Sequence, residues 1–96
     1  MVEISASILD AKEDEAAKIF YNLEVAKIDY FHIDVMDGEF VENDTHDIML
    51  EYCEYLDNIT KIPLDIHLMV NDVYSYIDKY DSYGKKRLQK HFIMNN

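Results

Sequence analysis

The sequence predicts an α/β fold built on a parallel sheet. Two observations lead to this prediction: segments with a two-residue apolar period alternate three times with segments of helical period, and the connections between them are short. This order is typical of right-handed βαβ units. Apolar residues make up 49% of the 96-residue chain, so a folded core is expected.

The first unit opens the chain. Residues 2–9 alternate between two sets of side chains, one apolar and one that includes two serines, which predicts a strand. Residues 11–26 repeat apolar side chains every three or four positions, which predicts a helix. Asp10 stands where an N-cap is needed, and the acids at positions 13–15 suit the first turn of a helix.

The second and third units follow the same order. Ile28–Met36 alternates as a strand and ends at an Asp-Gly pair, after which a polar loop runs to about Asp47. A less regular apolar repeat predicts a helix from Ile48 to Ile59. A strand is expected at Ile62–Val70, and a helix from position 71 or 72 to Tyr80.

The charge of the chain argues against two classes of partner. Twenty acidic and nine basic residues give a formal net charge of −11, which repels nucleic acid and anionic lipid. No apolar run reaches the roughly 20 residues that cross a bilayer, and Glu3 stands where a signal peptide would be basic. We therefore expect a cytoplasmic protein that binds neither nucleic acid nor membrane.

The composition changes near residue 80. Residues 1–80 hold 19 acids and 5 bases, a net charge of −14, whereas residues 81–96 hold one acid and four bases, a net charge of +3. The last segment has no strand alternation and only a weak helical pattern. We expect residues 1–80 to form the folded part and residues 81–96 a basic tail outside it.

The scarcity of glycine bears on the type of α/β fold. The chain has two glycines, and no G-x-G-x-x-G or P-loop motif follows the first strand. A nucleotide-binding sheet is therefore disfavoured. The sequence favours a segment of a barrel, with about three βα units.

Polar residues on the second and third strands predict a metal site. His32 and Asp34 are two positions apart and project to one side, and Asp65, His67 and Met69 do the same on the next strand. If the two strands are neighbours, about 4.8 Å apart, both histidines and Asp34 converge. Two imidazoles and a carboxylate suit Zn²⁺, Fe²⁺, Co²⁺ or Mn²⁺.

Each of these residues also has a structural interpretation. A histidine on an inward strand face is often a hydrogen-bonded core residue, and the spacing does not separate that role from a ligand for His32 or His67. Asp34 is harder to explain without a function, because an unpaired carboxylate inside a strand costs several kcal/mol. Asp65 stands near the start of its strand, where a salt bridge or solvent contact explains it.

Three further residues at strand ends have ordinary explanations as well. Ser7 is either a substrate contact or an ordinary small residue at a strand end, and its position alone favours the second. Met36 and Met69 are more often packing residues than parts of a site.

Three segments resemble one enzyme family. Residues 4–9 (ISASIL), 29–41 (DYFHIDVMDGEFV) and 63–70 (PLDIHLMV) are similar, in this order, to the first three strands of the ribulose-phosphate 3-epimerases. The resemblance implies a (β/α)₈ TIM barrel enzyme that inverts carbon 3 of a ketose phosphate, interconverting ribulose 5-phosphate and xylulose 5-phosphate. Allulose-6-phosphate epimerases share these motifs, so the sugar is left open.

The resemblance also implies roles for individual residues. His32, Asp34 and His67 match the ligands of a divalent metal, and Asp34 also matches a carboxylate that exchanges the proton at carbon 3. The metal acts as a Lewis acid, and inversion needs a second acid/base group on the opposite face. The residues that match substrate contacts or the pocket lining are Ser7, His67, Met36 and Met69.

The sequence also departs from the family pattern. Ala6 stands where proline is usual, the opposing aspartate and the phosphate-binding loops belong to later strands, and residues 81–96 match nothing expected there. We therefore expect a truncated TIM barrel, inactive alone, whose open sheet edges promote self-association. The alternatives are a metal-binding module without catalysis and an interaction protein that uses its sheet edges and basic tail.

Overall fold

The computed structural model describes residues 2–81 and 90–94. Within these residues, four strands alternate with three helices. The elements are β1 (Ser5–Ser7), α1 (Ala16–Val25), β2 (Tyr30–Met36), α2 (His46–Ile59), β3 (Leu64–Met69), α3 (Val73–Asp81) and β4 (Lys90–Met94). None of the helices in the described part is long and apolar enough to cross a membrane.

The strands form one parallel sheet in the order β1-β2-β3-β4. The predicted α/β fold is thereby confirmed, and three βα units followed by a strand are the arrangement expected for part of a TIM barrel. The prediction of a basic tail outside the folded part does not hold for Lys90–Met94, which pairs with β3; residues 82–89, 95 and 96 lie outside the described part. A pairing partner supplies backbone hydrogen bonds that side-chain alternation does not reveal.

The two faces of the sheet differ as the alternation predicted. One face packs against the helices, and its central side chains in β2 and β3 have no exposure: Phe31, Ile33, Val35, Leu64, Ile66 and Leu68. The side chains between them are half-buried and polar or sulfur-containing. The second face is therefore the one available for chemistry.

The predicted start of the first helix is wrong. α1 begins at Ala16 and not near residue 11, and its N-cap is Glu15, which makes no side-chain capping bond. Between β1 and α1 the chain makes turns, with the Ala11 amide donating to the Ile8 carbonyl at 3.1 Å. Ile8 and Ala11 are both buried, so this connection packs into the core and delays the helix.

Candidate metal centre

Three predicted ligands meet on the half-buried face of the sheet. Asp34 on β2 is the register partner of His67 on β3, and His32 lies two residues before Asp34. Oδ1 of Asp34 is 3.1 Å from Nε2 of His32 and 3.4 Å from Nδ1 of His67. The strand neighbours and the side-chain directions predicted from the sequence are therefore those of the structure.

The donor set fits a divalent cation. One ligand atom from each of His32, Asp34 and His67 lies within 4.8 Å of the other two. Ligand atoms about 2.0–2.2 Å from a zinc ion stand about 3–4 Å apart, so small side-chain rotations suffice. Lone pairs of a neutral imidazole and a carboxylate repel each other at 3.1 Å unless a proton or a cation lies between them.

His67 also has an unsatisfied atom. Its Nε2 is buried and has no hydrogen-bond partner among the described residues. Leaving a buried polar atom unpaired costs about 1–3 kcal/mol. With Nδ1 turned toward Asp34, Nε2 is the ring atom that no described residue satisfies.

The two oxygens of Asp34 have different surroundings. Oδ1 faces the histidines, whereas Oδ2 accepts a long hydrogen bond of 3.5 Å from the Ser7 hydroxyl on β1. The Ser7 oxygen in turn accepts a bond from the Leu9 amide at 3.3 Å. One carboxylate oxygen is thus directed to the ligand set and the other to the edge of the site.

Two methionines border the same face. Met36 and Met69 are register partners at the ends of β2 and β3, and both are half-buried. Because parallel strands bring their carboxyl ends to one edge, these side chains stand next to each other beyond the predicted metal ligands. They provide an apolar border to a polar site.

Asp65 lies closer to the site than its position near the strand start indicated. Its Oδ2 is 3.2 Å from Nδ1 of His32 and accepts a 3.2 Å hydrogen bond from the Ser5 hydroxyl. The position of Asp65 in the sequence predicted a salt bridge or a contact with solvent. In the structure its partner is His32, a predicted metal ligand. The two-residue alternation predicts the face of the sheet from which Asp65 projects, but only the β2–β3 register identifies its partner.

Thr45 holds the end of β2, a role that sequence reasoning missed. Its hydroxyl donates to the Asp34 carbonyl at 2.7 Å and accepts from the Met36 amide at 3.0 Å. Its own amide donates to the Met36 carbonyl at 2.8 Å. A threonine just before an amphipathic helix is recognisable in a sequence as a helix N-cap. Its hydrogen bonds to the strand, however, depend on the fold.

Asp37 joins two loops at the same end of the sheet. Its carboxylate accepts amide hydrogen bonds from Glu39 and Phe40 at 2.9 and 2.8 Å, and from Asn71 at 2.9 Å. Desolvation opposes ionisation of this carboxyl, but the three amide bonds outweigh it and lower the pKa of Asp37 below its usual value. Asp37 therefore stays charged and fixes the loops after β2 and β3.

Comparison with known proteins identifies a matching family. The model of the family described as "Ribulose-phosphate 3 epimerase family" matches residues 3–94. This match includes most of the segment that the sequence predicted to lie outside the resemblance. It covers all four strands of the described sheet.

Curated relatives agree with the family match. The chain is similar to the ribulose-phosphate 3-epimerase of Methanocaldococcus jannaschii, with 33% identity over 81 residues, which is 84% of this chain and 34% of the relative. It is 34% identical to that of Bacillus subtilis over 91 residues, covering 95% of this chain and 41% of the relative. The Mycobacterium bovis protein of the same name is 38% identical over 92 residues, covering 92% of this chain and 37% of the relative. The chain thus spans about a third to two fifths of the length of these relatives.

Proposed function

Because the chain belongs to the ribulose-phosphate 3-epimerase family, we propose that it provides the metal ligands and one acid/base group of a carbohydrate-phosphate 3-epimerase. The observation that carries the proposal is the convergence of His32, Asp34 and His67 on one half-buried point. The substrate proposed is a ketose phosphate of the ribulose 5-phosphate and xylulose 5-phosphate type. The pentose phosphate pathway is the corresponding metabolic setting.

The three residues have different roles in the proposed reaction. His32, Asp34 and His67 would hold a divalent ion of the Zn²⁺, Fe²⁺, Mn²⁺ or Co²⁺ group. When bound, that ion would polarise the carbonyl beside carbon 3 and make the carbon 3 proton more acidic. Oδ2 of Asp34, the oxygen turned away from the histidines, is the group that takes and returns this proton.

Substrate contacts come from the border of the site. The Ser7 hydroxyl, which donates a hydrogen bond to Asp34, would bind a sugar oxygen. His67 has a buried Nε2 atom without a partner in the described residues, which a substrate oxygen would satisfy. Met36 and Met69 form the apolar wall beside them.

We also propose that the 96-residue chain alone does not complete the inversion. An inverted carbon needs an acid/base group on each of its faces. Asp34 and Asp65, the carboxylates that contact His32, project from the same face of one sheet. Both therefore approach a bound sugar from one side.

The test follows the carbon 3 hydrogen by NMR in D₂O. Ribulose 5-phosphate, and separately allulose 6-phosphate, is incubated with the chain and Co²⁺. We expect exchange of the carbon 3 hydrogen that Asp34→Asn abolishes, with no accumulation of the inverted sugar. Exchange that survives Asp34→Asn would refute the role of Asp34, and accumulation of the inverted sugar would refute the need for a second carboxylate.

A second proposal, self-association, is favoured by the sheet edges. Among the described residues, β1 and β4 each pair with a single strand. Apolar side chains next to these edges are exposed: Val2, Ile4, Ile93 and Met94. Unpaired edges with exposed apolar groups promote association. Sedimentation of the chain should show an oligomer that Ile93→Lys weakens; a monomer at all concentrations would contradict this.

The cellular setting remains a prediction from composition. We propose a cytoplasmic location, and the net charge of −11 predicts that the protein lacks affinity for nucleic acid or anionic membranes. Retention of the chain on a heparin column at physiological salt would argue against that prediction.

A further inference from the structure

His32 lies between two carboxylates, one at each ring nitrogen. Its Nε2 atom is 3.1 Å from Oδ1 of Asp34, and its Nδ1 atom is 3.2 Å from Oδ2 of Asp65. A neutral imidazole carries its proton on one nitrogen and offers a lone pair on the other. A ring that binds an ion through Nε2 must therefore carry its proton on Nδ1, where Asp65 is the acceptor.

Asp65 is itself held in place. Its Oδ2 accepts a second hydrogen bond, 3.2 Å long, from the hydroxyl of Ser5. Asp65 and His32 are register partners on adjacent strands, and their side chains are only 18% and 21% exposed, so water competes weakly for this contact. The contacts link three neighbouring strands, since Ser5 lies on β1, His32 on β2 and Asp65 on β3.

We propose that Asp65 is a positioning residue that fixes the orientation and the Nδ1-protonated tautomer of His32, and thereby raises the affinity of the site for its ion. The inference rests on the metal site proposed above. Carboxylates that accept the outer N–H of a histidine ligand typically contribute about 10–100-fold to metal affinity. Asp65 acts through His32 and has no place in proton transfer to the substrate.

The experiment is a Co²⁺ titration of the 96-residue chain, followed by visible absorbance. The variants are Asp65→Ala, Asp65→Asn and the control Thr60→Ala. Thr60 precedes β3, and its hydroxyl bonds Glu24 and the Ile62 amide before that strand begins. The control therefore removes side-chain hydrogen bonds of the fold without touching the site.

We expect Asp65→Ala to weaken Co²⁺ binding by about 10–100-fold and to shift the cobalt absorption band. Asp65→Asn should lose less affinity, because its amide oxygen can still accept the Nδ1 proton. Thr60→Ala should leave both the affinity and the band unchanged, even if it lowers stability.

The outcomes separate this inference from the metal site itself. Equal affinities for the unaltered chain and Asp65→Ala would overturn the positioning role while leaving the metal site in place. Failure of the unaltered chain to bind Co²⁺ would overturn the metal site and the inference together. An equal loss in Thr60→Ala and Asp65→Ala would assign the effect to general destabilisation and also overturn the inference.

Discussion

Asp34 and His67 lie at the same level of neighbouring strands, and Nδ1 of His67 is 3.4 Å from Oδ1 of Asp34. This proximity makes His67 a sensitive test of the metal site. We expect His67→Ala to lower Zn²⁺ affinity by more than about 100-fold. Removing a ligand costs more metal affinity than removing a residue that hydrogen-bonds a ligand, which costs about 10–100-fold. Competition with a chromophoric chelator measures the Zn²⁺ affinities of the variant and of the unaltered chain.

A histidine outside the ligand set provides the control for that prediction. His46 begins α2, where its ring packs against Tyr76 and its Nδ1 lies 3.3 Å from the Tyr80 hydroxyl. His46→Ala should therefore leave Zn²⁺ affinity unchanged. Equal losses in the two variants would mean that the histidines bind zinc non-specifically.

The hydroxyl of Thr45 should stabilise the folded chain. The oxygen satisfies the Met36 amide and donates to the Asp34 carbonyl, so Thr45→Ala leaves both backbone groups without this partner. We expect the free energy of unfolding in urea to fall by about 1–3 kcal/mol. Thr45→Ser keeps the hydroxyl and should retain most of the stability; an equal loss in both variants would assign the effect to the methyl group.

Lys27 offers a stabilising substitution. It follows α1 with φ of 61°, the left-handed region, where a side chain costs about 1–2 kcal/mol. Lys27→Gly relieves this cost but makes the unfolded chain more flexible, so we expect a net gain of about 1 kcal/mol or less. Urea unfolding measures the gain, and Lys27→Ala, which removes the charge but keeps a Cβ, should show none.

Asp37 should make stability depend on acid pH. Its pKa in the folded chain lies below the ordinary value of 3.8, so its contribution is complete above that value and is lost as pH falls through the lower, folded pKa. Asp37→Asn should therefore be less stable than the unaltered chain at pH 7, and this difference should shrink below about pH 4. Urea unfolding at several pH values checks this; a difference independent of pH would contradict it.

The candidate site follows closely from local sequence. His32 and Asp34 share a face because alternate residues of a strand always do, and the same rule places Asp65 with His67. This rule needs no knowledge of the rest of the chain. The buried face, which includes Phe31 and Ile33, follows from the same alternation.

The first helix and the last strand were less predictable. Residues 11–15 have helical spacing, but packing of Ile8 and Ala11 in the core holds this stretch in turns. Lys90–Met94 has no strand pattern of its own and becomes a strand by pairing with β3. In both segments, tertiary contacts outweigh local propensity.

The sequence by itself determined the order of the first six elements, the buried faces of β2 and β3, and the three side chains suited to a metal. Only the tertiary structure decided that β2 and β3 are neighbours in a register that sets Asp34 opposite His67 and Asp65 opposite His32. The physical reason is that side-chain direction is a local property of the backbone, with a period of two residues. Register instead depends on the burial and hydrogen bonding of the whole sheet at once.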